Sequence, residues 1–268
     1  MTSKELAWKI RRDAIEMTHV SNGSHIGSVL SIADIVGVLY SGFLNVNKND
    51  AKNEERDRFI LSKGHAGAAV YSALAETGFF PVEELNSHYA DGSKLSGHVS
   101  HKGVPGVEFS TGSLGHGICV AVGMAMAAKL DKEKHKIITI IGDGECDEGS
   151  VWEAALFAHH YRLKNLTVIV DHNKMQSLGK CEDTIELLSL ADKWKSFGWK
   201  VIEIDGHNHS EIKAALNEEN LEKPKCVIAH TIKGKGISFM ENNILWHYRA
   251  PQGEFYIKAV KELEEARP

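Results

Sequence analysis

Residues 136–173, KIITIIGDGECDEGSVWEAALFAHHYRLKNLTVIVDHN, hold two apolar segments with a helical segment between them. KIITII (136–141) and LTVIVD (166–171) are rich in β-branched residues, as strands are, whereas SVWEAALFAHHYR (150–162) has the pattern of a helix. A strand, a crossover helix and a second strand predict two adjacent parallel strands whose carboxyl ends meet at one edge of a sheet. The stretch therefore predicts an α/β fold.

The segments on either side continue this alternation. The predicted strands are 58–62, 199–205 and 225–231, and the predicted helices are 3–19, 28–41, 65–76, 115–130, 189–197 and 209–219. Near-continuous apolar strands separated by helices indicate a parallel β-sheet with helices on both faces. Because no repeat or linker interrupts the chain, we expect a single domain over 1–268, with N-terminal helices and a charged C-terminal helical tail. The helix 115–130 is apolar on most faces, so we expect it to be buried.

Composition narrows the class of protein. The 268 residues carry a net charge of −5, which gives no reason to expect nucleic acid or an anionic membrane as a partner. We expect no membrane span, because we find no apolar run near the roughly 18 residues that one requires. Cys119, Cys146, Cys181 and Cys226 are scattered without a CxxC or zinc-ligand spacing. These features predict a soluble, cytoplasmic protein.

The glycines and the carboxylate after the first strand indicate a phosphate site. GDG (142–144) is neither a GxGxxG fingerprint nor part of a GxxxxGK[ST] loop. By itself it also fits a tight turn, but here it joins a buried strand to a helix. Glycines allow the backbone to approach a phosphate, and the free amides at a helix start favour an anion. Asp143 beside a phosphate requires a divalent cation between them.

A second ligand for that cation follows the next strand. Asn173 lies thirty residues after Asp143, about the length of one strand–helix–strand crossover, so the two side chains are expected at the same sheet edge. A carboxylate, an amide oxygen and a main-chain carbonyl just beyond Asn173 make a site for a hard cation. Asp171 is an alternative ligand, although its place at the strand end favours a side chain turned towards a helix or turn. The prediction is a metal-bridged diphosphate site.

Six segments in order resemble the transketolase family along essentially the whole chain, on the thiamine diphosphate-binding, N-terminal half of the usual protein. They are SNGSHIGS (21–28), LSKGHA (61–66), LSGHVSHKGVPGVEFSTGSLGHG (95–117), GDGECDEG (142–149), VDHNKMQ (170–176) and HTIKGKGISFMENNILWH (230–247). Several such segments in the right order are far more specific than GDG alone. The resemblance implies the thiamine diphosphate-binding fold.

The resemblance also implies which residues bind the cofactor. Mg²⁺ or Ca²⁺ would be held by Asp143, the side chain of Asn173 and the carbonyl of Met175. The backbone amide of Gly144 would meet the diphosphate. The residues expected to line the cofactor are His65, Gly112, Leu114, Asp143, Gly144, Asn173 and His247.

Four histidines in Gly-rich loops are the implied catalytic groups. His65 and His247 would face the diphosphate and the reacting centre, while His25 and His98 would contact substrate hydroxyls and assist proton transfer. An imidazole with a pKa near ~6.5 can exchange protons at cytoplasmic pH. The other histidines lack such motif support, and we expect surface or structural roles for them.

Further charged residues near these motifs receive different expectations. Glu148 matches a glutamate at the family's subunit contact. Glu145 and Asp147 are expected to cap the following helix, where negative charge is favourable. Lys233 and Lys235 either neutralise phosphate or lie in a solvated loop, and the sequence does not decide between these roles.

The activity implied is transfer of a two-carbon ketol unit from a ketose phosphate to an aldose phosphate, as in the pentose phosphate pathway. In the family, the glutamate that activates thiamine diphosphate belongs to a following pyrimidine-binding domain, which this sequence lacks. We therefore expect a partner chain carrying the pyrimidine and C-terminal domains, in a heterotetramer built on a dimer of these halves.

Alternatives remain open at this stage. A 1-deoxyxylulose-phosphate synthase or the alpha chain of a 2-oxo acid dehydrogenase uses the same cofactor, and a non-catalytic thiamine diphosphate-binding module is a further alternative. Two residues also depart from the family pattern. Ile26 stands where proline is usual after His25, and His116 where glutamine is common.

Overall fold

The computed structural model describes residues 1–219 and 222–268, and within them the chain forms a five-stranded parallel sheet. Its strands are β1 (Arg58–Leu61), β2 (Ile137–Gly142), β3 (Leu166–His172), β4 (Lys200–Asp205) and β5 (Lys225–His230). Their spatial order is β1-β2-β3-β5-β4, and every neighbouring pair is parallel. The prediction of a parallel α/β sheet is confirmed.

Helices cover both faces of this sheet. They are α1 (Ser3–Ser21), α2 (Ile26–Val38), α3 (Gly67–Glu76), α4 (His116–Leu130), α5 (Gly149–His160), α6 (Cys181–Thr184), α7 (Leu190–Ser196), α8 (His209–Asn217), α9 (Leu245–Tyr248) and α10 (Glu254–Glu265). Alternate residues of each strand point to opposite faces. Ile138 and Ile140 of β2 therefore pack with α1, α2, α3 and α8, whereas Ile137 and Ile141 pack with α4, α5 and α7. An apolar layer on each face of the sheet therefore fixes the position of its carboxyl edge.

The segment Ile26–Phe43 corrects one expectation from the sequence. Its 18 residues have a mean hydropathy of 1.7, so by length and composition this segment could cross a membrane. In the fold, 83% of it is buried, and all of α2 packs in the core. The absence of a membrane-length apolar run was therefore wrongly predicted, because a central core helix has the same composition as a span.

Helix α4 corrects a second expectation. Ile118, Ala121 and Ala125 are buried against the sheet, but the opposite face of the helix is exposed, including Gly123 and Leu130. The neighbouring helix α5 likewise exposes large apolar side chains, Leu156 and Phe157. The prediction that α4 is buried holds for its sheet-facing side and was wrong for its outer face. Apolar composition alone does not distinguish a core helix from a helix whose second face is left uncovered.

Candidate active site

A cavity of about 240 Å³ lies at the carboxyl edge of the sheet. All ten residues that the sequence singles out for catalysis, cofactor or metal line it: His25, His65, His98, Gly112, Leu114, Asp143, Gly144, Asn173, Met175 and His247. The other lining residues are Ser28, Lys63, Gly142, Glu145, Gln176, Ser177 and Lys233. A larger cavity of about 830 Å³ shares Asp143, Asn173 and Met175 with it. The fold thus brings together residues from loops that are far apart in sequence.

Asp143 follows β2 and is held beside the end of β3. Gly142 pairs with Asp171 in the sheet, and the Asp143 N–H donates to the Asp171 carbonyl at 3.2 Å. The Asp143 carboxylate accepts from the backbone N–H of Gly144 at 2.8 Å and from that of Lys174. Burial, and next the charge of Asp171, raise the pKa of Asp143 to about 6. A buried carboxylate in this state gains from an adjacent cation.

Asn173 supplies a second oxygen to the same cavity. Its Oδ1 accepts from the Met175 N–H at 3.0 Å, and its amide nitrogen donates to Asp171 at 2.9 Å. These two bonds fix the orientation of the amide, so that its oxygen is oriented away from Asp171.

The donor set fits a hard cation. A carboxylate, an amide oxygen and a main-chain carbonyl are oxygen ligands of the kind that Mg²⁺ and Ca²⁺ take, with phosphate and water supplying the rest. The Met175 carbonyl accepts from the Lys233 ammonium at 3.2 Å and keeps a second lone pair. Among the described residues, no group of three His, Cys, Asp or Glu side chains is placed to hold a metal.

Asp171 is turned away from this position, as its place at the strand end predicted. It is fully buried and pairs with the Lys63 ammonium, and it also accepts from Ser31 at 2.7 Å and from Thr231. Burial would raise the pKa of Asp171, but Lys63 and the hydroxyl donors outweigh it, so the pKa lies below its usual range. Asp171 is therefore an ionised anchor that keeps Lys63 at the floor of the cavity.

The four predicted histidines form one cluster. The His25 ring centroid lies 5.2 Å from that of His65, 5.6 Å from that of His98 and 4.8 Å from that of His247. His25 has a left-handed backbone, with φ +74°, and its N–H donates to the His247 carbonyl at 2.9 Å. This hydrogen bond ties the start of α2 to α9, which carries His247.

These imidazoles are held neutral. Burial lowers the pKa of His25 to about 4 and that of His247 to about 3, and it lowers the pKa of His65 and His98 as well. For His25, His65 and His247, the charges of Lys63 and Lys233 add to this effect. At neutral pH, neutral imidazoles can accept hydrogen bonds from hydroxyl groups.

The two lysines of the KGKG segment have different environments. Lys233 is 2% exposed and donates to the carbonyls of Met175 at 3.2 Å and Gln176 at 3.5 Å. Burial, and next the charge of Lys63, lower the pKa of Lys233 to about 8. Lys235 lines the larger cavity instead and pairs with Glu241 at 3.4 Å. Lys233 is therefore buried at the smaller cavity and Lys235 lines the larger one, and a role in neutralising phosphate stays a prediction for both.

Glu145 and Asp147 do not cap α5, so that expectation was wrong. Glu145 is 2% exposed and accepts from the backbone N–H of Gly115 at 2.8 Å, from that of Gly142 at 3.0 Å and from the Ser62 hydroxyl. Burial raises the pKa of Glu145. Asp147 accepts from the Gln176 amide at 2.6 Å. Both residues lie in a short 3₁₀ turn (Gly144–Asp147) that precedes α5, so their carboxylates bind neighbouring loops instead of the start of that helix.

Three functional candidates were missed from the sequence: Lys63, Glu145 and Gln176. Lys63 stands next to Gly64 and His65 in LSKGHA, so its motif was a usable signal. Glu145 and Gln176 also lie in quoted motifs, GDGECDEG and VDHNKMQ, but the burial of Glu145 and the contact of Gln176 with Asp147 depend on other loops. Glu148, expected at a subunit contact, is exposed beside α4, and that role stays a prediction.

The two departures from the family pattern lie in different environments. Ile26 is fully buried and begins α2 directly after His25. His116 is exposed in the first turn of α4, where its Nδ1 lies 3.0 Å from the Leu114 carbonyl. Ile26 is therefore part of the core next to His25, whereas His116 lies at the surface next to the turn that contains Gly112 and Leu114.

Comparison with known proteins gives consistent matches over the whole chain. The family described as transketolase, thiamine diphosphate binding domain, matches residues 2–264. One of the subunits of the apulose-4-phosphate transketolase of Phocaeicola vulgatus is 41% identical over 96% of this chain and 92% of that protein. The 6-deoxy-6-sulfo-D-fructose transketolase subunit SqwG of a Clostridium species is 42% identical over 96% of this chain and 94% of that protein.

Solved structures agree with these matches. The transketolase of Campylobacter jejuni superposes with a TM-score of 0.91 at 31% identity, covering 99% of this chain. This chain spans 42% of the length of that transketolase chain. Human transketolase is 36% identical over 91% of this chain, which spans 39% of the human protein.

Proposed function

The chain belongs to the transketolase family, and on that premise we propose that it is the thiamine diphosphate-binding subunit of a two-chain transketolase. The enzyme would transfer a two-carbon ketol unit from a ketose phosphate to an aldose phosphate. The observation that carries this proposal is the single cavity lined by Asp143, Asn173 and four neutral histidines.

The cavity residues would divide the work of holding the cofactor. Asp143, Asn173 and the Met175 carbonyl would hold Mg²⁺ or Ca²⁺, and the Gly144 amide would meet the diphosphate. A side chain at Gly144 would be crowded, because its Cβ would lie 2.7 Å from the Gln176 Cγ. When bound, thiamine diphosphate supplies the carbon centre that carries the ketol unit between sugars. Gly112 and Leu114 would lie against its rings.

The histidines would handle protons at the sugar oxygens. His25 and His98 would contact substrate hydroxyls, and His65 and His247 would face the diphosphate and the reacting centre. As neutral rings, they can accept hydrogen bonds from these hydroxyl groups, and a substrate proton would pass to a ring as charge develops in the reaction. A positioned general acid or base of this kind contributes roughly 10²–10⁴-fold to a rate. Lys63 and Lys233 would add positive charge at the floor of the cavity, where phosphate oxygens are expected.

A partner chain would complete the site. The exposed apolar residues of α4 and α5, among them Leu130, Leu156 and Phe157, form a surface that is suited to burial against another polypeptide. The two relatives described above are named as subunits, which supports a two-chain enzyme. We therefore propose a heterotetramer of two such chains and two chains with the pyrimidine and C-terminal domains, located in the cytoplasm.

The substrate is proposed as a class of compound. The pentose phosphate pathway is one setting for such an enzyme, with phosphorylated ketoses as donors. The names of the two relatives point to apulose 4-phosphate and to 6-deoxy-6-sulfo-D-fructose as further donors to test. Both compounds belong with the ketose class that the four-histidine cavity suits.

Co-expression with a candidate partner chain tests the proposal. The purified complex is assayed with thiamine diphosphate and Mg²⁺, using xylulose 5-phosphate, the two donors above and pyruvate. Ketol transfer that depends on both chains and on both cofactors is the expected result. Turnover of pyruvate alone would instead indicate a 1-deoxyxylulose-phosphate synthase or a 2-oxo acid dehydrogenase. Cofactor binding without turnover of any donor would indicate a non-catalytic module. Ketol transfer by this chain alone would show that no partner chain is required.

A further inference from the structure

We propose that His207 is a positioning residue that, together with Asp34 and Arg11, holds Lys233 at the cofactor cavity. The inference rests on the proposed function, because it assigns Lys233 to the phosphate end of the bound cofactor. His207 is in neither the predicted site nor the smaller cavity. It acts by holding the backbone at Ile232, next to Lys233.

Asp34 is the centre of this clamp. The carboxylate lies on α2, is 7% exposed, and accepts from Arg11 of α1 through both terminal nitrogens, with one distance of 3.1 Å. His207 Nδ1 lies 2.8 Å from it and His209 Nε2 lies 3.0 Å from it. Burial would raise the pKa of Asp34, but Arg11 and the two histidines outweigh it and hold the pKa far below its usual range.

His207 links Asp34 to the loop after β5 by hydrogen bonds. Its Nε2 accepts from the backbone N–H of Ile232 at 2.9 Å, so the ring proton must be on Nδ1, where it is donated to Asp34. Arg11 Nε donates to the Lys235 carbonyl at 3.1 Å. The clamp of Arg11, Asp34 and His207 therefore binds the loop on both sides of Lys233: at Ile232, one residue before it, and at Lys235, two residues after it.

Lys233 needs this support because a lysine has four rotatable side-chain bonds and its ammonium is buried. The Nζ atom lies 3.2 Å from the Met175 carbonyl and 3.5 Å from the Gln176 carbonyl, so the position of the backbone at 232–235 determines whether it reaches them. Two other bonds help: Gly234 N–H donates to the Gly27 carbonyl at 3.0 Å, and Asn242 N–H donates to the Lys233 carbonyl at 2.8 Å. Loss of His207 leaves the Ile232 N–H without its acceptor, so the backbone that precedes Lys233 is less firmly held.

His209 supplies a matched control. It binds the same carboxylate at a similar distance and is equally buried, with side-chain exposures of 13% for His207 and 11% for His209. Its other ring nitrogen lies 2.9 Å from the Ser3 hydroxyl at the start of α1, not from the Lys233 loop. A purely structural role for the clamp predicts equal effects of removing either histidine.

The experiment measures thiamine diphosphate binding by calorimetry, with Mg²⁺ present, on the two-chain complex. H207A is expected to raise the Kd about tenfold, whereas H209A changes it less than about twofold at a similar loss of thermal stability. H207Q, which keeps one donor and one acceptor, is expected to restore most of the affinity. In the K233M background, H207A should add little, because the two residues act in one path.

A second measurement does not need the cofactor. Lys233 in the wild-type chain should react slowly with an amine acylating reagent, as followed by peptide mass spectrometry, because burial keeps the reagent out even though the lowered pKa leaves more free amine. The labelling rate should distinguish the variants: we expect acceleration of several-fold in H207A, wild-type behaviour in H207Q and no change in H209A.

Equal loss of affinity in H207A and H209A, or a full tenfold effect of H207A on top of K233M, would overturn the proposal. So would unchanged labelling of Lys233 in H207A. Failure of the wild-type complex to bind thiamine diphosphate would instead refute the proposed function, and the positioning role with it. The two failures are therefore distinguishable.

Discussion

The cofactor cavity and the Asp34 clamp are both built from buried polar groups, yet they differ in how these groups are satisfied. In the clamp, every carboxylate oxygen of Asp34 has a donor, and Arg11 and both histidines have partners on their other sides. In the cavity, the buried Nδ1 of His247 has no hydrogen-bond partner within residues 1–219 and 222–268. Satisfied polar groups stabilise a fold, whereas an unsatisfied group that lines a cavity is available to a ligand.

The largest effect is expected from breaking the satisfied region. Arg11→Met leaves Asp34 buried without its main counter-ion, and such a change costs about 3–5 kcal/mol of the free energy of unfolding. Urea unfolding of the isolated chain measures it. Arg12→Met is the matched control, because Arg12 pairs with Glu16 at the surface and should cost less than about 1 kcal/mol. Similar losses in the two variants would refute the difference between the regions.

Breaking the cavity should affect binding and spare the fold. Asp143→Asn removes the proposed metal ligand, and we expect the apparent affinity for Mg²⁺ and thiamine diphosphate to fall by at least about 100-fold. Burial raises the pKa of Asp143 to about 6, which means that its negative charge is unfavourable in the folded chain. Replacing the carboxylate with a neutral amide should therefore not lower the free energy of unfolding. Calorimetry and urea unfolding of the same variant measure the two effects. A variant that binds normally would exclude Asp143 as a ligand, and one that is strongly destabilised would place Asp143 with the clamp.

His88 sharpens the comparison with a smaller effect, because it is unsatisfied but lies outside the cavity. It is 5% exposed, and neither ring nitrogen has a hydrogen-bond partner in the described part of the chain. Burial lowers the pKa of His88 to about 4, against an opposing effect of the Met17 backbone. His88→Phe should raise the free energy of unfolding by about 1–3 kcal/mol at pH 7, as measured by urea unfolding.

The pH dependence of His88 follows from the sign of its shift. Between pH 6.5 and about 4, the unfolded chain holds a proton on this ring that the folded chain does not. Acidification through this window therefore favours unfolding, and the contribution reaches about 2 kcal/mol by pH 5. The advantage of His88→Phe over the wild type should grow from pH 7 to pH 5, as measured by urea unfolding. His160→Phe, on the exposed end of α5, is the surface control for the substitution.

Much of the fold and the site could be predicted from local pattern. Alternating strands and helices predicted the parallel sheet, and the separation of Asp143 from Asn173 put them on adjacent strands. The expectations that failed concerned burial. Helix α4 was predicted to be buried, but its outer face is exposed. The core segment Ile26–Phe43 was not recognised as long enough to span a membrane, and Glu145 was predicted to be a helix cap.

These failures share one physical reason. Periodicity reports how a segment would bury an apolar face, but whether a face is covered depends on elements elsewhere in the chain. The partner of a buried charge depends on them as well. Lys63 and Asp171 are 108 residues apart, and Asp34 and His207 are 173 apart, so no local window contains either pair.

The sequence by itself therefore determined the parallel sheet, the edge at which its polar loops meet and the residues that those loops carry. These properties follow from strand and helix periods and from short crossovers, which act over a few tens of residues. Only the tertiary structure decided which charges are buried, which are paired and which face of each helix stays open. Burial and pairing are settled when distant segments exclude water together, and a linear pattern does not contain that information.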